Sequence, residues 1–430
     1  MPSALFVTPF IWEAGPWRGK PTVYYIIQGL QRAGYEVHVV TATNRRGLAD
    51  TTWEGIHIHY FLLPLSPAGF EFDAFHSFLT QISQAANPWR RHLTFRLLWL
   101  QFVLFGWRRA AQVAHRWTPA FTYGVNNPGI PIAYWVGHRL GVPNFSRIMG
   151  SPIVQWLGSP FRLYLARFDE LLAFKLPTEA LIITDDGTIS AADICERLGI
   201  PRERIWMFRN GIDKVSFTSG LSRSQLRIEL GLPPDAKVLL WVSQLVNWKR
   251  VDRIVDAMPE VAARCPEVHL VILGDGPDRQ FLEARAKRLG VDHLVRFEGS
   301  VAREDLPRYF RSADVFTAFY DYANVSNSLL EAMLSGNAVV TLNNGHTGEL
   351  VKHMVNGFMV EPDRLSDIPN ALIRVLTDDE LRIRLGSNAA ISADTILRTW
   401  DERIDQEIAM IEAAVLAGRG AGAPAHGRAA

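Results

Sequence analysis

Residues Asn324 to Gly336 read N-V-S-N-S-L-L-E-A-M-L-S-G. Small polar residues open the stretch, and an apolar run carrying one carboxylate, Glu331, follows. On a 3.6-residue period Asn324, Asn327, Ser328 and Glu331 fall at i, i+3, i+4 and i+7, so four polar groups share one helical face. The first turn of such a helix presents unpaired backbone N–H groups, an arrangement that holds a phosphate anion. Glu331 lies deeper, where it is placed to accept hydrogen bonds from a ribose. The same residues allow a second reading, in which Ser328 and Glu331 form an S-x-x-E capping box that only starts the helix. The stretch alone leaves both readings open.

The chain around it has 430 residues, more than one ordinary core accommodates, which points to two domains of about 200 residues each. Hydrophobic residues make up 48% and charged residues 21%, the balance of a soluble globular protein. A formal net charge of +1 provides no global basic field, so no nucleic-acid partner is expected. Cys195 and Cys265 lie far apart without C-x-x-C spacing, and neither a disulfide framework nor a zinc site follows. The N-terminal M-P-S-A-L-F-V-T-P-F lacks the basic region and length of a signal peptide, so a cytoplasmic location is expected.

Ala4 to Thr8 reads as a buried strand, Pro21 to Ala33 as a helix closed by Gly34, and Glu36 to Thr41 as the next strand. That is a β-loop-α-β unit of the doubly wound type. Gly19, in the loop, either lets a ligand approach closely or simply makes a turn. Strand-like runs at Ile56–Leu62, Phe121–Gly124, Pro143–Met149 and Ala180–Thr184 extend the pattern to residue 212. Between them Trp89 to Arg109 is a helix rich in Trp and Phe, bracketed by arginines and interrupted by Arg96 and Gln101. It is too short and polar to span a bilayer. It fits either an interfacial helix on a membrane surface or a helix buried in the domain core.

Near residue 210 an Asn-Gly turn and a Ser-rich linker reset the pattern. Five further strands, Val238–Val242, Val268–Leu273, Leu294–Phe297, Val315–Phe319 and Ala338–Leu342, alternate with helix-length segments. The expected organisation is an α/β protein with two Rossmann-like doubly wound domains, residues 1–212 and 213–395, facing a cleft. A helix over residues 396–417 crosses back towards the first domain, and a disordered tail spans 418–430. Ligands in such sheets bind beyond the carboxyl ends of the strands.

Several features of the second domain point to that edge. Trp241 to Arg250 ends a strand with Ser243 and Gln244 and then offers Lys249, whose point charge suits a diphosphate, although a lone lysine is more often only solvated. Gly274 to Pro277, G-D-G-P, permits close backbone approach but lacks the third glycine of a dinucleotide fingerprint. Phe297 to Val301, F-E-G-S-V, either wraps a base or is a plain strand end.

The order of the pieces says more than any one of them. N-G-I-D, S-Q-L-V-x-x-K, G-D-G-P, F-E-G, N-S-L-L-E-A-M-x-S-G, N-x-G-H-T-G-E-L-V and N-G-F-M-V together resemble the retaining GT-B glycosyltransferases called family 4, most strongly from Ile205 to Val360. The resemblance implies that Glu331 binds the ribose hydroxyls of a nucleotide sugar. It implies that the turn at Ser326, Asn327, Ser328 and Leu329 gives N–H groups to the diphosphate. Lys249 binds that diphosphate and assists its departure, and Phe297 to Gly299 lines the base pocket. A nucleotide sugar is then the donor substrate, with no cofactor and no metal required, since no D-x-D segment is placed to chelate one.

Three departures from the family pattern stand out. Ala323 occupies the position of the first of two glutamates, which leaves Asn324 or Asp321 to reach the donor sugar. Gln244 replaces the arginine that partners the lysine. Arg147 to Pro152 contains no histidine, and His138 falls in a helical pattern ahead of it. The expected reaction is retaining transfer of a hexose-type sugar to an acceptor hydroxyl, catalysed by Lys249 with Asn324. The acceptor is expected to be lipid-linked or a polysaccharide precursor, met at the inner membrane face by Trp89–Arg109. A GT-B-shaped binding scaffold without catalysis and, further off, a sugar-nucleotide epimerase are the competing readings.

Overall fold

The computed structural model describes residues 1–9, 21–43, 45–63, 88–149, 160–218, 220–322 and 324–421. Gly19 and Ala323 therefore lie outside the described residues. The chain divides into two compact units, the first made of Met1–Thr184, Ala191–Phe208 and the stretch from Asp401, the second of Asp185–Ser190 and Arg209–Trp400.

In the first unit the elements are β1 (Ser3–Val7), α1 (Pro21–Arg32), β2 (Glu36–Thr43), β3 (Thr51–Trp53), β4 (Ile56–Leu62), α2 (Pro88–Trp117), β5 (Phe121–Val125) and α3 (Asn126–Leu140). They continue with β6 (Asn144–Ile148), α4 (Pro160–Lys175), β7 (Ala180–Thr184), α5 (Ala191–Leu198) and β8 (Ile205–Phe208). The sheet order is β3-β4-β2-β1-β5-β6-β7-β8, parallel except for β3. Period-2 alternation sends Ala4 and Phe6 of β1 to one face and Leu5 and Val7 to the other, so each strand feeds two cores. Trp99, Phe102 and Val103 of α2 and Ile132 of α3 close one of them. Gly106 is where those helices meet, because a Cβ there would stand 2.7 Å from Ile132.

The second unit contains α6 (Lys214–Thr218), α7 (Arg223–Glu229), β9 (Lys237–Val242), α8 (Asp252–Arg264), β10 (Val268–Leu273), α9 (Arg279–Arg288), β11 (Val295–Gly299) and α10 (Leu306–Ser312). Then follow β12 (Val315–Ala318), α11 (Asn327–Leu334), β13 (Ala338–Leu342), α12 (Thr347–Leu350), β14 (Phe358–Val360), α13 (Ile368–Thr377) and α14 (Asp379–Ile396). Its parallel sheet runs β11-β10-β9-β12-β13-β14. Strand order reverses between β9 and β12, and open α/β sheets bind ligands beyond the strand ends at such a switch point.

The last helix, α15 (Trp400–Ala421), returns to the first unit and continues beyond Gly418, where the sequence reading ends it. Ile404 packs where a Cβ on Gly29 of α1 would lie, 2.4 Å away. Its anchor is Glu407, fully buried, which accepts hydrogen bonds from the Tyr123 hydroxyl and from Arg147 at 2.9 Å and is paired with Arg403. Burial pushes the Glu407 carboxyl up, but Arg403 and Arg147 outweigh it and hold the group below its ordinary value. No described helix is long and apolar enough to cross a membrane.

Removing one partner of a buried charge cluster strands the others, a cost of about 3–5 kcal/mol. Glu407→Gln is therefore expected to lower the unfolding free energy by an amount of that order, read as a lower urea midpoint of the full chain, and an unchanged midpoint would show that the cluster does not hold α15.

Candidate active site

The switch point of the second unit is built from two strand ends. At the end of β9 the Trp241 indole N–H donates to Ser243 Oγ at 2.8 Å, and that hydroxyl donates to the Gln244 carbonyl at 3.0 Å. Ser243 thus spends its hydroxyl on shaping the turn, while Gln244 is exposed. The chain passes through buried Leu245 and one tight turn, Asn247–Lys249, rather than directly into a helix. Arg250 closes the turn with φ 56° and is clamped by Asp252 at 2.9 and 3.0 Å and by Asp321 at 3.3 Å. Asp321 also takes Arg253 at 2.7 Å, so two guanidiniums occupy the acid expected to replace the missing glutamate.

Clamping of Arg250 aims Lys249 inward. Its ammonium lies 3.8 Å from the centroid of the Tyr320 ring and 4.1 Å from that of Trp248. Some of the stem reaches solvent, but the ammonium is packed away from water, and this desolvation lowers its pKa to about 7 against the opposing pull of the Asp186 carboxylate. Cation–π contact offsets part of the lost hydration.

Gly274 does not face this space. With φ 126°, its absent side chain would meet the Ser243 carbonyl at 1.8 Å, and that of Gly276 the Leu245 carbonyl at 2.3 Å. The G-D-G-P turn is a seat for the Lys249 loop, and the expected ligand contact at Gly274 is corrected to backbone packing. Gly299, φ 76°, accepts a hydrogen bond from the Gly274 N–H at 2.7 Å, and Phe297 is half-buried with its carbonyl bound by Arg279 at 3.0 Å.

At the end of β12 the expected helical face is broken. Ser326 is the N-cap and its hydroxyl accepts the Leu329 N–H at 3.2 Å, so α11 begins at Asn327 and Asn324 lies outside it. This corrects two expectations: Ser328 and Glu331 are not the capping box, and the Leu329 N–H is spent on the cap. The N–H groups of Asn327 and Ser328 have no hydrogen-bond partner among the described residues. Asn324 is fully buried: its side chain accepts from the Tyr320 N–H at 2.9 Å and donates to Asn344 at 2.5 Å, and its own N–H donates to Thr347 at 3.0 Å. It braces the loop and cannot reach a sugar from there, against the catalytic role expected of it.

Glu331 sits on α11 with its carboxyl buried, and burial raises its pKa to about 7 although Arg303 pulls the other way. An acid and an ammonium shifted towards each other at one switch point are a common signature of a working site. Sequence reading missed the Asp185–Ser190 loop, which belongs to this second unit. The Gly187 carbonyl accepts the His346 N–H at 2.9 Å, and Arg209 binds Asp185 at 2.9 Å. Asn210 donates to the side chain of Asn327 at 3.0 Å. Two adjacent acids before a glycine were the available signal, legible only as a turn. Trp248 and Tyr320 were missed because aromatics beside a strand read as core.

Residues 222–391, α7 to α14, match the family described as Glycosyl transferases group 1. The chain is 33% identical over 200 residues to an uncharacterised glycosyltransferase of Methanocaldococcus jannaschii, covering 46% of this chain and 51% of that one. It is 27% identical over 228 residues to a GDP-mannose-dependent α-(1-6)-phosphatidylinositol monomannoside mannosyltransferase of Mycobacterium tuberculosis, covering 44% and 59%. The chain spans about half the length of the curated relatives it matches. In fold it is similar to HepE of Anabaena, solved with UDP and glucose, at a TM-score of 0.68 and 20% identity over 96% of this chain and 100% of that one. The match to the group 1 glycosyltransferases thus lies within the second unit, and the two parallel α/β sheets are those of the GT-B fold.

Because Glu331 binds its proton more tightly folded than unfolded, its contribution to stability is intact below pH 4.5 and is lost as pH rises to about 7, a loss of up to about 3 kcal/mol. Glu331→Gln is expected to melt higher than the parent at pH 8 and nearly level with it at pH 4.5. A variant less stable at pH 8 would mean that the carboxylate is already satisfied.

Proposed function

We propose that the protein transfers a sugar from a nucleoside diphosphate sugar to an acceptor hydroxyl, with retention at the anomeric carbon and without a metal. The observation that carries this is that the segments after β9 and β12 of the second unit hold a desolvated ammonium, Lys249 over Tyr320, and a helix start whose Asn327 and Ser328 N–H groups have no partner among the described residues, with the buried Glu331 one turn further along that helix. Glu331 accepts from the ribose hydroxyls. The ammonium and the two amides receive the negative charge that grows on the β-phosphate as the C1–O bond breaks, the place where such donors do most for rate. The acceptor oxygen attacks C1 from the face the diphosphate leaves, and its proton passes to a diphosphate oxygen. Gln244 in place of an arginine leaves Lys249 as the main cation of this set.

The acceptor is a lipid-linked or polysaccharide-precursor hydroxyl, a reading supported by the relative named for a phosphatidylinositol mannoside and by the aromatic, arginine-flanked stretch Trp89–Arg109. The protein then works in the cytoplasm, at the inner face of the membrane.

Two measurements test this. Calorimetric titration with UDP and with GDP should find binding of at least one, and Lys249→Ala should weaken that binding and cut kcat/KM on the cognate sugar donor by about 100-fold or more, with melting little changed. Undiminished transfer by that variant would remove Lys249 from the mechanism, and failure of the parent to bind or turn over any donor would favour a scaffold. Since only protonated Lys249 attracts the diphosphate, affinity should fall by up to tenfold per pH unit above 7, and Lys249→Arg should flatten that fall.

A further inference from the structure

The helices α2 and α3 pack side by side in the first unit. Together they contain no aspartate or glutamate over Pro88–Trp117 and Asn126–Leu140, but seven arginines. From Arg96 onward the side chains of α2 divide cleanly. Leu98, Trp99, Phe102, Val103 and Ala110 face the core, while Leu97, Leu100, Leu104 and Trp107 form an exposed strip at spacings of 3, 4 and 3 residues. Leu104 is 56% exposed. Trp135 and Leu140 of α3 are exposed too, and a groove of about 640 Å³ lined by Val103, Leu104, Trp107, Trp135, His138 and Arg139 lies between the helices.

Apolar side chains exposed in a row are costly in water unless something covers them. Charge selects among the candidates. Two helices whose sequences carry seven arginines and no acid, with Arg109 already paired to Asp50, favour an anionic partner over a basic one, and a bilayer offers both phosphates and acyl chains. Indole rings prefer the headgroup boundary, and arginines beside a leucine strip reach back to phosphates.

We propose that this α2–α3 face docks on an anionic lipid bilayer, with Leu97, Leu100, Leu104 and Trp107 entering the acyl boundary and the groove taking one lipid chain whose phosphate lies against Arg139 and His138. The docking deepens the lipid-linked acceptor proposed above and rests on it for its purpose, whereas its physics is independent of the sugar chemistry. It extends the contact beyond α2 to α3 and names the lipid charge required. Asp50, Glu36 and His59 on the neighbouring strands do not oppose it, because Asp50 is already paired with Arg109 and His59, and Glu36 with His57.

The test is flotation of the full chain with vesicles of phosphatidylcholine alone or mixed with phosphatidylglycerol, at low and high salt. Partition onto the mixed vesicles should exceed that onto neutral ones by about tenfold or more and should fall as salt rises. Leu100→Glu with Leu104→Glu should cut it at least tenfold with an unaltered circular dichroism melt. Arg139→Gln, which removes one surface charge, should weaken it less but measurably. Brominated acyl chains should quench tryptophan fluorescence, and Trp107→Phe with Trp135→Phe should remove most of that quenching. No flotation with phosphatidylglycerol at low salt, flotation indifferent to the glutamates, or quenching that survives loss of both indoles would overturn the proposal. UDP titration of the same preparations keeps the two readings apart: nucleotide binding without flotation defeats the docking alone, and flotation without nucleotide binding defeats the sugar transfer alone.

Discussion

Two carbonyl oxygens, of Ser243 and Leu245, stand where the side chains of Gly274 and Gly276 would be, and everything at the switch point depends on that close approach. It draws the loop after β9 down onto the loop after β10, so that the next turn, Asn247–Lys249, can only point back across the strand ends. Arg250 in the left-handed region, held by Asp252 and Asp321, fixes the direction. The cationic end of Lys249 is thereby set over Trp248 and Tyr320 instead of in water. Glycine at 274 and 276 is required by packing between two segments of backbone, and only through that packing by the chemistry.

The electrostatics of the site follow from what each group has lost. Lys249 gives up hydration and keeps two aromatic faces and a distant carboxylate, and its proton is loosened. Glu331 gives up hydration on α11 and retains its proton towards neutrality. Neither is well satisfied by the protein alone. By contrast Asp314, on the far side of the same sheet, is saturated by Arg227 at 2.6 Å and by the Val238 N–H at 2.8 Å, and it serves only to hold the fold. A satisfied charge holds structure, and an unsatisfied one at a strand end awaits a ligand.

The first unit divides its labour differently. Its buried charges cluster around Glu407 and tie α15 to the sheet from within, next to Arg147 and Tyr123 on neighbouring strands. Its surface keeps apolar side chains outward on α2. From Arg96 onward the same helix is therefore part core and part exposed apolar strip, a division that composition alone averages away.

The doubly wound pattern of both halves was written in the chain, because a parallel strand buried on both faces must be a short apolar run and its crossover must be an amphipathic helix. So were the strands at Ala180–Thr184 and Ala338–Leu342, which the structure reproduces residue for residue. Motif order carried the family and pointed to Lys249 and Glu331, since a fixed sequence of strand-end motifs is itself a one-dimensional record of one sheet edge. What the tertiary structure decided is which polar atoms were already in use. Ser243 and the Leu329 amide look available along the sequence and are consumed by neighbours within three positions, whereas Asn324 is consumed by Asn344 and Thr347, which only the fold brings near. Asp186 looks idle and is brought to the Lys249 side by its place in the second unit. Hydrogen bonds between residues twenty or more positions apart depend on the packing of the strands between them, and no local spacing rule encodes that distance.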